Sequence, residues 1–254
     1  MIYKLAKNDF KTKYAGSYLG IIWAFIQPVI TVLVYWFVFE VGFRGGSDSL
    51  PVPFVLYLVA GIIPWFFFQD GLTGGTNPLL EYSFLVKKVV FNISVLPVVK
   101  ILSAVFVHLF FIVFITFLYC CYGHFPDLYY LQLLYYLAGL LLLILGLSYL
   151  TSAVVVFFRD LSQMISIALQ IGIWLTPIMW VAEDKLIHYP LLYKILKLNP
   201  VYYIVMGYRD VFIYKHWFWE RPLWTAYFWC FVIGVLWLGT RVFKKLRVHF
   251  ADVI

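Results

Sequence analysis

The chain has 254 residues, of which 64% are hydrophobic and only 12% charged, with a net charge of +7 and a mean hydropathy of +0.92. Soluble domains carry about a quarter charged residues, and no globular core hides this much apolar surface, so the solvent for most of the chain is lipid. The basic excess then reads as membrane orientation and attraction to anionic headgroups, not as nucleic-acid binding.

Met1 to Ser17 comes first. Lys4, Lys7 and Lys11 recur at spacings of three and four, so they share one helix face, while Ile2, Leu5, Ala6 and Phe10 occupy another. This predicts an amphipathic helix over 1–18, lying on the membrane surface with its basic side towards headgroups or a partner. The apolar run after it is too long for a signal peptide and lacks a small-residue cleavage site. A crossing helix needs about 20 mostly apolar residues, and 19–41 supplies the first, with Pro28 inside it. Residues 52–71 supply the second, with Pro64 inside, and GLTGGTNP is expected to end that helix.

The stretch Glu81–Pro97 is a short polar break carrying Lys87 and Lys88. Short Lys-rich loops stay on the cytoplasmic side, which places this loop inside and makes it a natural point of contact for a partner. The third span is 95–122, with Lys100 placed to snorkel. His108 in its middle is either packed against a polar neighbour or functional. A tight turn precedes the fourth span, 129–158. Arg159 and Asp160 form a very short inner turn before the fifth, 161–181. Within it Ser162, Ser166, Gln170 and Trp174, four residues apart, form a slowly drifting stripe. In 182–222 the apolar runs 191–198 and 201–213 are too short to span, and Asn199–Pro200 separates them. They read as two short helices dipping into the outer half of the membrane. The sixth span is 223–240, followed by a basic amphipathic tail from Arg241 to Ile254. The expected fold is therefore all-α and integral to the membrane, with six transmembrane helices and both termini cytoplasmic. The bookkeeping of basic residues agrees, since the two short outer loops contribute only Arg44.

The chemistry is informative mainly by what is missing. There is no GxxxxGK[ST] loop, HExxH, paired CxxC or GxSxG, so a nucleotide-hydrolysing engine has no place here. Cys120, Cys121 and Cys230 lie in apolar runs and read as small core residues. Glu183, Asp184 and His188 are the nearest thing to an acid–base cluster, and at a membrane edge they read as solvated charges. Asn92-Ile93-Ser94 matches a glycosylation acceptor but falls in the loop placed inside. The positive signal is a set of polar, uncharged side chains, Gln27, Ser162, Ser166 and Gln170, on helices that also carry Trp23, Tyr35, Trp36 and Trp174. Such a surface suits a sliding sugar chain, with hydroxyls hydrogen-bonded and pyranose faces lying on rings. Read without that ligand, the same aromatics are interface belts and lipid-facing packing.

These residues resemble a known family. The pattern Lys13-Tyr14, Ser17, Leu19-Gly20, Trp23 and Pro28, then Leu85-Val86-Lys87-Lys88 with Leu96-Pro97, then Phe158-Arg159-Asp160-Leu161, then Asn199-Pro200 with Arg209, and the closing Phe250-Ala251-Asp252-Val253-Ile254 is similar to the permease subunits of type-2 ABC exporters. Those subunits move lipid-linked polysaccharide, including O-antigen, teichoic acid and capsule. One departure is Asn92, where such permeases often carry Pro. The resemblance covers the whole chain. It implies a homodimer in the bacterial inner membrane, carrying two separate ATPase subunits that bind ATP and Mg, with no cofactor in this chain and no enzymatic activity of its own. By likeness, 81–97 is the coupling helix, and Glu81, Phe84, Lys87, Lys88, Phe91, Arg159 and Asp160 face the ATPase. The first and fifth spans would line the lumen through Trp23, Gln27, Tyr35, Ser162, Ser166, Gln170 and Trp174. The short helices at 182–222 would form the outer gate, with Asn199, Pro200, Tyr203 and Arg209. An undecaprenyl-linked glycan is expected to pass the basic N-terminal helix, where Lys4, Lys7, Lys11 and Lys13 hold the lipid pyrophosphate. The expected cargo is of the O-antigen type; the alternatives are a teichoic acid or capsule exporter permease, a permease for a small drug or lipid, an integral membrane glycosyl or acyl transferase, and a passive channel.

Overall fold

In lipid every backbone group must be satisfied within the chain, so long apolar runs become helices. A computed structural model of the protein describes residues 1–14, 16, 18–42, 50–86, 92–182, 186 and 188–253, with backbone alone at 85, 86, 251 and 252. Ser17, Arg44, Lys87, Lys88, Phe91, Glu183, Asp184 and Ile254, all singled out from the sequence, lie outside the described residues. Every regular element among the described residues is helical. In chain order these are α1 (Ile2–Lys13), α2 (Trp23–Trp36), α3 (Phe54–Thr76), α4 (Pro78–Glu81), α5 (Ser83–Val86), α6 (Val95–Cys121), α7 (Gln132–Val155), α8 (Leu161–Leu175), α9 (Pro190–Lys197), α10 (Pro200–Arg209), α11 (Pro222–Leu246) and α12 (Phe250–Val253).

Among the described residues, five helical stretches are long and apolar enough to cross a membrane: Gly20–Gly42, Phe54–Thr76, Val95–Cys121, Leu128–Val155 and Pro222–His249. The predicted span 161–181 does not form as one helix. Its helix α8 has 15 residues, about 22 Å of rise against a hydrocarbon core of roughly 30 Å. The cause is Pro177, which disfavours helical geometry at the residue before it; Thr176 is extended, with φ −77° and ψ 128°. Two other boundaries move outward. GLTGGT does not end α3, which runs to Thr76, because glycines in a packed apolar helix still complete their own hydrogen bonds. The tail is not separate either, since α11 continues through Arg241 to Leu246.

Helix α3 is the centre. It packs against α2, α6, α7, α8 and α10 and is buried along most of its length. The α7–α11 pair is the most extensive contact in the chain. Its crossing depends on two glycines: a Cβ at Gly239 would sit 2.2 Å from the Gly146 carbonyl oxygen, and one at Gly146 would meet the Leu236 backbone at 2.9 Å. Small residues of this kind let membrane helices touch backbone to backbone.

The two short helices after α8 are unlike each other. α10 is buried from Val201 to Arg209, whereas α9 has no buried residue. Asn199 caps α10, its Oδ1 accepting from the Val201 amide at 3.0 Å, and Pro200 fills the first helical position where no amide is needed. Tyr203 stacks on Phe228 at 4.5 Å. Arg209 is fully buried: it donates to the Pro177 and Ile178 carbonyls at 2.7 and 2.8 Å and lies 3.6 Å over the Tyr57 ring. The absence of a side chain at Gly61 makes room for it, since a Cβ there would be 2.8 Å from its Nη2. Of the residues expected to form an outer gate, Tyr203 and Arg209 are buried and Asn199 and Pro200 are half-buried. At the opposite end a smaller core joins Leu79, Leu96, Ala153, Val156, Phe243 and Phe250. It brings the base of the 81–97 stretch and the exposed Arg159–Asp160 turn to one end of the bundle.

Candidate functional site

Helix α1 forms over Ile2–Lys13, within the 1–18 stretch marked as amphipathic. Lys4, Lys7 and Lys11 are exposed, Ala6 is buried, and Tyr3 and Phe10 set their rings edge-on against Phe106 of α6. The expected patch of four lysines is divided, however. Lys13 turns towards the bundle and pairs with Asp70 near the end of α3. Burial pulls the Lys13 ammonium down, and the Asp70 carboxylate more than compensates, leaving it above the usual lysine range.

Beneath that pair a groove of about 500 Å³ opens between α2, α3 and α6. Lys13, Tyr14, Asp70 and Thr73 line its mouth, and Gln27, Thr31 and Gln69 add uncharged polar groups along it. Trp23, Tyr35, Phe66 and Phe67 supply rings. From Trp23 to Tyr35 the α2 wall rises about 18 Å. Pro28 lacks an amide, so the Ala24 carbonyl loses its usual i+4 donor, and both residues face the groove. The deeper wall includes His108, which is buried. Its Nε2 shares a hydrogen bond of 2.8 Å with the Tyr208 hydroxyl, and its ring stacks on Phe67 at 4.5 Å. The histidine thus has the polar neighbour its position in a span required, while its Nδ1 has no hydrogen-bond partner among the described residues. A mouth with paired charges, a polar side and a row of rings is suited to an amphipathic ligand with a hydroxyl-rich or phosphorylated head.

Three of the residues predicted to line a substrate path, Trp23, Gln27 and Tyr35, therefore meet in one groove. The α8 stripe does not line it. Ser166 Oγ donates to the Ser162 carbonyl at 3.0 Å, and Gln170 and Trp174 are exposed. The link between the two helices is the edge-on contact of Tyr35 with Trp174, with centroids 6.5 Å apart.

Around the predicted partner-facing loop, Glu81 and Phe84 are exposed, Phe84 making an edge-on contact with the Tyr82 ring. Glu81 pairs with Lys100, which does not simply snorkel: its Nζ also lies 2.8 Å from Asp9 of α1. The Tyr82 hydroxyl donates to the same Asp9 oxygen. Burial and then the bond to Asp9 push the Tyr82 phenol up to about 12. Asp9, Asp70 and Tyr82 escaped the sequence reading of the site. The one available signal was an aspartate on the apolar side of α1, next to Phe10.

Comparison with known proteins gives a consistent result. A model of the family described as ABC-2 type transporter matches residues 2–213. Relatives named O-antigen export system permease protein RfbA occur in Klebsiella pneumoniae, one of them 25% identical over 98% of this chain and 93% of its own length. Another, in Myxococcus xanthus, is 26% identical over 100% of this chain and 95% of its own. With five long apolar helices and a family match over most of its length, the chain belongs to the ABC-2 type transporter family, as a multi-pass membrane permease subunit.

Proposed function

We propose that this chain is the membrane channel subunit of an ATP-driven exporter of undecaprenyl-linked polysaccharide of the O-antigen type, working in the bacterial inner membrane. Two copies form the channel and two separate ABC ATPases, which hold ATP and Mg, drive it. The chain crosses six times with both termini cytoplasmic, α8 completing its crossing through the buried non-helical residues 176–179. The observation that carries the reading is the groove: paired charges at its mouth, then uncharged polar side chains alongside Trp23 and Tyr35. The names of the relatives support the same substrate class. In this account the lipid pyrophosphate is drawn in by Lys4, Lys7 and Lys11, competes with Asp70 for Lys13, and brings the first sugars against Trp23 and Gln27. ATP-driven closure of the ATPases then pushes on the 81–97 stretch, with the Arg159–Asp160 turn as a second contact at the same end.

The test is purification of the tagged chain from its native membranes, followed by ATP hydrolysis in nanodiscs with and without lipid-linked glycan. The expected result is a stoichiometric ATPase, lost when Lys87 and Lys88 are both changed to Glu, and hydrolysis stimulated by the glycan. A chain that purifies alone, or hydrolysis indifferent to the glycan, would contradict the proposal.

A further inference from the structure

Three elements that are far apart in the sequence meet at one cation. Lys100, in the second turn of α6, contacts Asp9 of α1 and Glu81 of α4 at once. The two carboxylates are not equivalent. The Asp9 side chain is 5% exposed and that of Glu81 is 49% exposed. Tyr82 closes the cluster, donating to Asp9 while its ring lies 5.2 Å from the Lys100 ammonium. A second cavity of about 440 Å³ lies here, lined by Asp9, Thr12, Glu81, Tyr82 and Lys100. It shares Lys13, Asp70, Thr73 and Ala104 with the groove. Helix α1 is therefore a common roof over both cavities, fastened by the ion pairs Lys13–Asp70 and Asp9–Lys100 and by the packing of Tyr3 and Phe10 on Phe106.

We propose that Asp9, Lys100 and Glu81 form a latch that transmits movement of the 81–97 stretch to α1. The inference rests on the reading of that stretch as the ATPase contact. A buried carboxylate is tolerated only while it is paired, so Asp9 holds α1 down for as long as Lys100 stays beside it. Glu81 competes for the same ammonium from the element that leads into the basic loop. When the loop moves and Glu81 draws Lys100 with it, Asp9 loses its cation. It regains solvation only if α1 lifts, which unroofs the groove at its mouth. Lys100 is a positioning residue in this scheme and touches no substrate. The element has two states, roof down with Asp9 paired and roof up with Asp9 hydrated, and the loop biases the choice between them.

The experiment follows amide hydrogen exchange across α1 in nanodiscs holding the complete transporter, with and without a non-hydrolysable ATP analogue, alongside glycan exported per ATP hydrolysed. In the unmodified protein the analogue is expected to speed exchange in α1. Asp9→Asn should give fast exchange in both states and roughly fivefold or more less glycan per ATP, the scale of ordinary site-to-site coupling. Lys100→Met should behave alike, and Lys100→Arg, which keeps the charge, should restore the nucleotide response. A nucleotide response of α1 that survives Asp9→Asn, or export that falls only in step with hydrolysis, would overturn the latch. If no ATPase accompanies the chain, the proposed function fails separately, and the latch is still read from the isolated chain. There, α1 exchange that is slow in the unmodified protein and in Lys100→Arg but fast in Lys100→Met supports it. Equal exchange in all three refutes it.

Discussion

Two helical stretches of this molecule look alike as text and behave as opposites in the fold. Gly20–Gly42 and Phe54–Thr76 are each 23 residues long and strongly apolar, with a proline inside. Yet 78% of the apolar window is buried in the second and 11% in the first. Lipid is as apolar as a protein interior, so hydropathy cannot say which helix a bundle will enclose; small residues that allow close approach carry that information. α3 contains Gly61, Gly71, Gly74 and Gly75, and α2 contains no glycine at all. The enclosed helix builds the scaffold. The loosely held one, with Trp23, Gln27 and Tyr35 along it, leaves a groove open.

This contrast predicts a graded response to substitution. The largest effect belongs to the α7–α11 crossing. Gly239→Leu drives a side chain into the Gly146 backbone and should cost more than about 5 kcal/mol, seen as loss of monodisperse protein in size-exclusion chromatography. Arg209→Met is next. It strands the Pro177 and Ile178 carbonyls in a buried site and should cost about 4 kcal/mol, measured as a lower thermal midpoint in detergent.

Asp210 follows. Burial raises its carboxyl to about 6 against the pull of Arg221, whose guanidinium lies 3.0 Å away. Between the ordinary value of 3.8 and about 6, the folded chain binds the proton more tightly than the unfolded one. Stability from this group is therefore full below the window and falls as pH rises through it, by up to roughly 3 kcal/mol. Asp210→Asn should remove that slope from the thermal midpoint measured between pH 4 and 7. The smallest effects on stability belong to the walls. Leu33→Ala on α2 and Trp174→Leu on α8, both at exposed positions, should stay within about 0.5 kcal/mol of the unmodified protein.

Periodicity and length were enough to place α1, α2, α6 and α7, because lipid leaves a long apolar run no alternative to a helix. Boundaries failed where a local signal met a tertiary one. The Pro177 signal was visible, yet the apolar residues after it suggested a longer helix. The glycines of 71–75 looked like a terminus and are the close-packed flank of α3 against α6 and α7. In the site, Trp23, Gln27 and Tyr35 were legible because they share a helix and a chemistry. The meeting of Asp9, Glu81 and Lys100 was not, since no pattern within one helix tells which carboxylate a lysine will meet across three elements. Tyr203 and Arg209 were singled out beside the Asn199–Pro200 break, but their burial against Phe228 and Tyr57 was not legible, because it depends on helices distant in the sequence.

The most direct test of this division between scaffold and wall is ATP-driven movement of lipid-linked glycan into inverted proteoliposomes holding the chain and its ATPase. The variant to compare combines Trp23→Leu with Gln27→Leu. The account predicts an unchanged thermal midpoint, an intact complex and glycan movement reduced by roughly tenfold or more, as expected when a stacking ring and a hydrogen-bonding amide are removed together. Unmodified glycan movement by that variant would contradict it, and would take the groove out of the substrate's path.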